Sequence, residues 1–241
     1  MKRISVAMIS YQGAKYIEEQ LDSILATLGA EDEVVISDDG STDGTREIIS
    51  RYMSRDARIR LIDGPRKGVK ANVENALRAC EGASIFLADQ DDIWMPEKVE
   101  VVMRAFEENK AGVVVHDAIV TDGTCQEVIL DSFYSLKGSG AGVVKNIWRN
   151  TYIGCCMAFK RELLEEVLPI PNYIEMHDQW IGVLNDQLNH NTCFIPEKLI
   201  KYRRHGNNAS GMEHYGVVRM IRNRVCFVWA LFTRKRGFHG K

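Results

Sequence analysis

Short apolar runs alternate with amphipathic stretches from the amino terminus to about residue 117. The runs Ile4 to Ile9, Glu33 to Ser37, Ile59 to Ile62, Ser84 to Leu87 and Val113 to His116 have the length and β-branched content of strands. Between them, Tyr16 to Leu28, Thr45 to Met53, Val69 to Cys80 and Glu97 to Asn109 carry apolar residues at helical spacing. In the first, Ile17, Leu21, Ile24, Leu25 and Leu28 share one face. This alternation predicts βαβ units joined by four crossovers, an α/β fold with a mostly parallel sheet flanked by helices. Ligands of such sheets bind beyond the carboxyl ends of the strands, so the chemistry is sought in the loops that follow them.

Beyond Asp117 the pattern becomes mixed. It predicts a hairpin turning at Asp122-Gly123, a Gly- and Ser-rich loop from Ser132 to Gly142, and a strand over Cys155 to Lys160. A short helix over Arg161 to Val167, stopped by Pro169 and Pro171, precedes a helix over Gln179 to Leu188 and a late strand over Leu199 to Arg203. From Val217 to Lys241 the pattern is helical and basic, with Arg219, Arg222, Arg224, Arg234, Lys235, Arg236 and Lys241 and no acidic residue. Val218, Ile221, Val225, Val228 and Phe232 recur at three and four residues, and Phe227, Trp229 and Phe238 add aromatics. Such a helix suits an anionic membrane surface; it equally suits packing on the domain or at a homo-oligomer surface, with its arginines solvated. One domain over 1–216 and a helical tail over 217–241 are expected.

Composition narrows the partners. The chain has 241 residues, 45% hydrophobic and 27% charged, enough to bury one full core. A formal charge of −2 carries no basic excess that would draw it to nucleic acid by counterion release. The six cysteines form no C-x-x-C pair, which argues against a disulfide framework or structural zinc and fits a reducing cytoplasm. The apolar run after Met1-Lys2-Arg3 is too short for a signal peptide, and Val225 to Phe232 falls far below the ~20 residues of a membrane span. A cytoplasmic protein, with contact at the inner membrane face through its tail as an option, is expected.

Two strand candidates run straight into acidic clusters, Asp38-Asp39-Gly40-Ser41-Thr42-Asp43 and Ala88-Asp89-Gln90-Asp91-Asp92. Carboxylates crowded at one sheet edge raise one another's pKa unless a cation or ligand donors neutralise them. Helix capping by Asp38, Ser41, Asp43 and Asp92 is the competing explanation. It leaves out Asp89 and Asp91, whose spacing of two at a strand end points both to one side. All-oxygen donors suit Mg2+ or Mn2+ shared with substrate phosphates. There is no P-loop and no G-x-G-x-x-G, so a diphosphate must be held by metal and carboxylates.

These residues resemble family 2 glycosyltransferases, which have the GT-A fold. The resemblance rests on Val6 to Tyr11, Val34 to Thr45 (VVISDDGSTDGT), Phe86 to Lys98 (FLADQDDIWMPEK), His177 to Trp180 (HDQW) and Tyr202 to Gly211 (YRRHGNNASG), in the family's order. The third and last are most similar to the bacterial rhamnosyltransferase-like subset that builds surface polysaccharides. The resemblance implies a UDP- or dTDP-sugar donor, a glycan or lipid-linked acceptor, and transfer with inversion. It divides the domain into a nucleotide-binding half over 1–117 and an acceptor half over 118–216.

Residue by residue, the resemblance implies that Ser10 and Tyr11 line the base pocket and that Asp39 accepts from a uracil or thymine N–H. Asp89 would meet the ribose, and Asp91 would bind the metal. Asp178 falls on the general base, with an N-cap of the following helix as its rival role. His177 and Trp180 would stand on the acceptor side. His205 would complete the metal shell or remain a surface histidine. Arg203 and Arg204 would clamp the diphosphate, and Lys67 and Lys70 would reach the nucleotide or stay solvated. Gln12, where the family usually has Asn, and Gln179-Trp180, in place of paired aromatics, depart from the pattern. Trp94, Trp148 and Trp229 are expected in the core, as are Cys155, Cys156, Met157 and Phe159. The rival functions are a nucleotidyltransferase, which lacks its glycine-rich loop here, and a catalytically silent carbohydrate-binding protein, against which the intact carboxylates argue.

Overall fold

The computed structural model describes residues 3–206 and 216–234. In chain order the strands are β1 (Ile4–Ser10), β2 (Glu33–Asp38), β3 (Ile59–Asp63), β4 (Ser84–Ala88), β5 (Ile93–Trp94), β6 (Ala111–Thr121), β7 (Val128–Leu130), β8 (Met157–Lys160) and β9 (Asn191–Arg203). The helices are α1 (Ile17–Leu25), α2 (Thr45–Met53), α3 (Val69–Ala79), α4 (Lys98–Asn109), α5 (Phe133–Lys137), α6 (Val143–Trp148), α7 (Leu164–Val167), α8 (His177–Gln187) and α9 (Val217–Thr233). Among the described residues one sheet runs in the order β3-β2-β1-β4-β8-β6-β9-β5, with β7 paired to β6. The strands β3, β2, β1 and β4 are mutually parallel, and β8 is inserted antiparallel between β4 and β6. The expected α/β architecture is present, and a single sheet links the two halves of the chain.

The strands β2, β1 and β4 are buried on both faces, with apolar runs such as Val34, Val35 and Ile36. Helix α1 buries Ile17, Leu21 and Ile24, and α4 buries Val99, Val102 and Phe106. The β6–β7 hairpin turns through Asp122, whose Oδ1 accepts the amides of Gln126 and Glu127 at 3.0 and 3.1 Å.

Four expectations are corrected. The stretch Gly154–Cys156 is a turn of 3-10 helix, so the strand begins only at Met157. The Ser132 to Gly142 loop contains α5, started by Ser132 Oγ accepting the Ser135 amide. Strand β9 is 13 residues long and begins eight residues before the expected Leu199. Its polar first half and Pro196 masked it, and the register against β6 shifts between His116 and Asp117, where Ile195 and then Lys198 are the partners. The tryptophans also sort differently. Trp94 and Trp180 are buried, whereas Trp148 and Trp229 are 66% and 62% exposed.

Candidate active site

The loops leaving β1, β2, β3 and β4 meet at one sheet edge, and their side chains knit them together. Ser10 Oγ donates to Asp38 Oδ2 at 2.7 Å, and Ser41 Oγ donates to the same oxygen at 2.6 Å. Asp38 Oδ1 takes the Ser41 amide and Arg46 Nη1. Burial works to raise the Asp38 carboxyl, but the donors from Ser41, Ser10 and Arg46 outweigh it and hold it below the ordinary range. Asp43 takes the amide and hydroxyl of Thr45 at the start of α2, so it does serve the helix terminus. Asp38 instead organises the loop. Gln12, tied to Ser41 and Thr42 in three hydrogen bonds, joins the β1 loop to the β2 loop.

Asp39 lies next to this knot, and its two oxygens accept the amides of Arg66 at 2.6 Å and Gly68 at 2.9 Å. Tyr11 is 57% exposed. Gln90 fixes its backbone on both sides, accepting from the Tyr11 amide at 2.8 Å and donating to its carbonyl at 2.9 Å. A flat, exposed ring beside an anchored carboxylate is a surface a planar base can lie on.

Beyond Gln90 is the acidic centre. Burial first, then the carboxylates of Asp91 and Asp178, push the Asp89 carboxyl up to about 7. Asp91 Oδ2 lies 2.7 Å from His205 Nε2. The His205 ring stacks on Tyr16 with centroids 4.6 Å apart, and the Arg203 guanidinium lies 4.8 Å from the same ring. Sequence positions 89, 91, 178 and 205 are thus brought to one place from β4, α8 and the end of β9.

Asp92 turns the other way. It is buried, its Oδ1 accepts the Arg203 amide at 3.2 Å, and its Oδ2 has no hydrogen-bond partner among the described residues. Burial, Asp91 and Asp89 push its carboxyl well above the ordinary range. The expected cap at α4 is therefore absent, and Glu97 holds the cap position without a side-chain bond. Asp89, Asp92 and Cys155 bring ligand atoms within 4.8 Å of one another. A thiol is a poor donor for a hard cation, so the oxygen and imidazole pair at Asp91 and His205, with Asp89 beside it, fits Mg2+ or Mn2+ better.

Lys98, which closes the Phe86 to Lys98 segment, lies beneath this centre. Its Nζ donates to the Cys155 carbonyl at 3.0 Å and lies 3.9 Å from the Trp94 ring centroid. Burial lowers it to about 8 against the pull of Asp92 and Asp89. Lys98, Gln90 and Tyr16 escaped sequence reasoning as functional residues. For Lys98 and Gln90 the signal was their place inside the quoted segment; Tyr16 had none.

Asp178 is 3% exposed and is the second residue of α8, not its cap; Met176 holds that position. Its Oδ1 accepts the Gln179 amide at 2.6 Å and Asn150 Nδ2 at 3.2 Å. His177 is half-buried against Gly154, and burial lowers its pKa.

Four expected roles are corrected by these contacts. Ser10 spends its hydroxyl on Asp38 and is 2% exposed, so it shapes the loop rather than facing a base. Lys70 Nζ donates to the carbonyls of Asn172 and Ile174, which latches α3 to the segment before α8. Arg203 is buried; its guanidinium bonds Glu19, the Asp91 carbonyl and the Gly123 carbonyl, making it a strut under the acidic loop instead of a clamp. Trp180 is 1% exposed and donates to the Val167 carbonyl at 2.9 Å, so it belongs to the core and not to the acceptor side. Arg204 is half-buried near the site, with its amide on the Thr121 carbonyl. The stretch 207–211, the end of the last matched segment, lies outside the described residues.

The family model described as glycosyl transferase family 2 matches residues 5–168. The chain is 28% identical over 213 residues to a putative teichuronic acid biosynthesis glycosyltransferase of Bacillus subtilis, covering 86% of this chain and 81% of that protein. It is 27% identical over 218 residues to an uncharacterised glycosyltransferase of Nostoc sp., covering 86% of this chain and 66% of that protein. Among solved structures, it superimposes on residues 1–349 of TarS from S. aureus, in complex with UDP-GlcNAc, with a TM-score of 0.75 at 17% identity, covering 98% of this chain and 68% of that one. It also matches a mannosyltransferase of Pyrobaculum calidifontis, in complex with GDP-Man and Mn2+, with a TM-score of 0.66 at 22% identity, covering 97% and 64%. At such identities the likeness is one of fold, and the fold is GT-A. With the matched segments lining one sheet edge and the family model spanning most of the chain, this protein belongs to glycosyl transferase family 2.

Proposed function

We propose that the chain is a metal-dependent inverting enzyme that moves one sugar from a UDP- or dTDP-linked donor to a hydroxyl of a glycan or lipid-linked acceptor in bacterial surface polysaccharide synthesis. The observation that carries this is the contact of Asp91 with His205, with the Asp89 carboxyl near enough to Asp91 and Asp178 to be raised by both. The donors in the two structural neighbours, and Mn2+ in one of them, support the same reading.

Asp91 and His205, with Asp89 beside them, are the residues that would hold the ion. A divalent cation there supplies neutralisation of the charge that develops on the diphosphate leaving group. Tyr11 offers its ring to the base, and Asp39 keeps lone pairs beyond the two amide contacts for a base N–H. Asp89 reaches the ribose hydroxyls from the end of β4, and Arg204 approaches the diphosphate from the end of β9.

Asp178 acts as general base. Among the described residues both hydrogen bonds to its carboxylate fall on Oδ1, so Oδ2 is the atom that takes the acceptor hydroxyl's proton. Asn150 and the Gln179 amide hold the carboxylate in place through that step. His177, packed beside it, shapes the acceptor side. A base on one side of the sugar and a diphosphate on the other give a single displacement and inversion.

Thermal melts with UDP or dTDP, each with and without Mn2+, test the reading, because a ligand of the native state must raise the melting temperature. A rise that requires both nucleotide and Mn2+ is expected. No rise with any nucleoside diphosphate overturns it.

A further inference from the structure

Helix α9 packs on the domain by one face only. Phe227, Ala230 and Leu231 are buried, Phe227 meets Trp180 edge-on with centroids 6.0 Å apart, and Asn223 bonds Glu175. At 3.6 residues per turn the opposite face carries Val218, Ile221, Val225, Trp229 and Phe232, and these are between 56% and 83% exposed. The neighbouring α6 adds Val144 and Trp148, 70% and 66% exposed. An outer apolar stripe of this length on a docked helix needs an occupant.

We propose that the outer face of α9, with α6 beside it, is a docking surface for an anionic lipid bilayer. Arginines border the stripe on both sides. Arg222 is exposed on one flank, and Arg224 on the other lies over Trp148 at 5.0 Å while donating to its carbonyl. Arg219 and Arg234 pair with Glu175 and Glu166 at 3.5 and 2.9 Å, and no acidic residue occurs between Val217 and Lys241. Lys235, Arg236, Phe238 and Lys241 continue the pattern but lie outside the described residues.

An apolar face flanked by cations is the form of a helix that lies in the headgroup zone, with Trp229 and Trp148 suited to that depth. Charge complementarity separates a lipid surface from a second copy of the chain. Two α9 faces brought together would set arginine against arginine, whereas an anionic bilayer neutralises them. No described helix is long and apolar enough to cross a membrane, so α9 would lie along the surface.

The placement also suits the proposed reaction, on which this point rests. A cavity of about 150 Å³ between α6, α8 and α9 is lined by Trp148, Asn150, Gln179 and Arg224. Asn150 is the residue that holds Asp178. A surface resting on α6 and α9 therefore lies next to the acceptor side, where a lipid-linked acceptor would arrive.

The test is co-sedimentation of the full chain with vesicles of phosphatidylcholine alone and with phosphatidylglycerol added, at low and high salt. Wild type is expected to bind the anionic vesicles at low salt, and the triple variant Ile221→Ser, Val225→Ser, Trp229→Ser to bind at least about tenfold more weakly. Arg222→Glu should weaken binding several-fold, and added salt should do the same. The substituted side chains are exposed, so an unchanged melting temperature confirms the fold, and donor hydrolysis in solution reports on the reaction separately. Equal sedimentation of wild type and triple variant, or no binding at low salt, overturns the proposal even if hydrolysis is normal. A dimer in light scattering that the triple variant dissolves, without lipid binding, assigns the face to a second copy instead.

Discussion

Asp89 carries an electrostatic strain at the site, because its charge is opposed by burial and by two neighbouring carboxylates. Its folded value near 7 exceeds the ordinary ~4 of an unfolded chain. The contribution to stability is then fully present below about pH 4 and is lost as pH rises through about 7. Asp89→Asn, which cannot ionise, is expected to melt at a higher temperature than wild type at pH 8 and at the same temperature at pH 4. Melts of the ligand-free proteins across that range decide it; a constant offset would contradict the assignment. Asp178→Asn preserves an Oδ1 acceptor for Asn150 and the Gln179 amide but removes the proton acceptor. Transfer should fall by roughly two to four orders of magnitude while nucleotide affinity stays within a factor of about two. Steady-state rates beside calorimetric titration with nucleoside diphosphate separate the two effects, and wild-type turnover in the variant would reduce Asp178 to a helix-terminus residue.

At the scale of elements, α8 links the candidate site to the core and to α9. It presents Asp178 and His177 at its first turn and buries Trp180, Ile181, Val183 and Leu184 behind them. Gly182 lets the helix lie against Tyr152, since a Cβ there would come within 2.3 Å of the ring. Phe227→Ala removes the aromatic that joins α9 to Trp180 and should cost about 3–5 kcal/mol. Phe232→Ala, on the exposed face, should fall within about 0.5 kcal/mol of wild type. Urea unfolding measures both, and a larger loss from Phe232→Ala than from Phe227→Ala would mean that α9 is docked by the other face. The βαβ elements through α4 were legible because their apolar spacing is undisturbed by function. Strand β9 was not legible over its first half, where Asn191, Thr192, Pro196, Glu197 and Lys198 break the alternation and pairing to β6 supplies the order. The short α6 had no periodicity long enough to read.

Across the whole molecule, the acidic loops were legible as types and spacings, since carboxylates at strand ends have few structural uses, whereas Asp178 and His205 were singled out only by the family resemblance. Their partners were not legible. Nothing in the order of residues says that Lys70 bonds the carbonyls of Asn172 and Ile174, that Arg203 bonds Glu19, or that Trp180 is core while Trp148 faces outward. Those outcomes depend on which surfaces the fold brings together, and for Lys70, Arg203 and Trp180 they turned a sequence-based ligand contact into a structural one. What the proposed function requires is donor chemistry that depends on a divalent ion at Asp91. The direct measurement is nucleoside diphosphate release from a panel of UDP- and dTDP-sugars, by wild type and Asp91→Ala, in Mn2+ and in EDTA. The account predicts release from at least one donor by wild type in Mn2+, with near-complete loss in EDTA and in Asp91→Ala. Equal release in EDTA, or an Asp91→Ala enzyme as active as wild type, would contradict it.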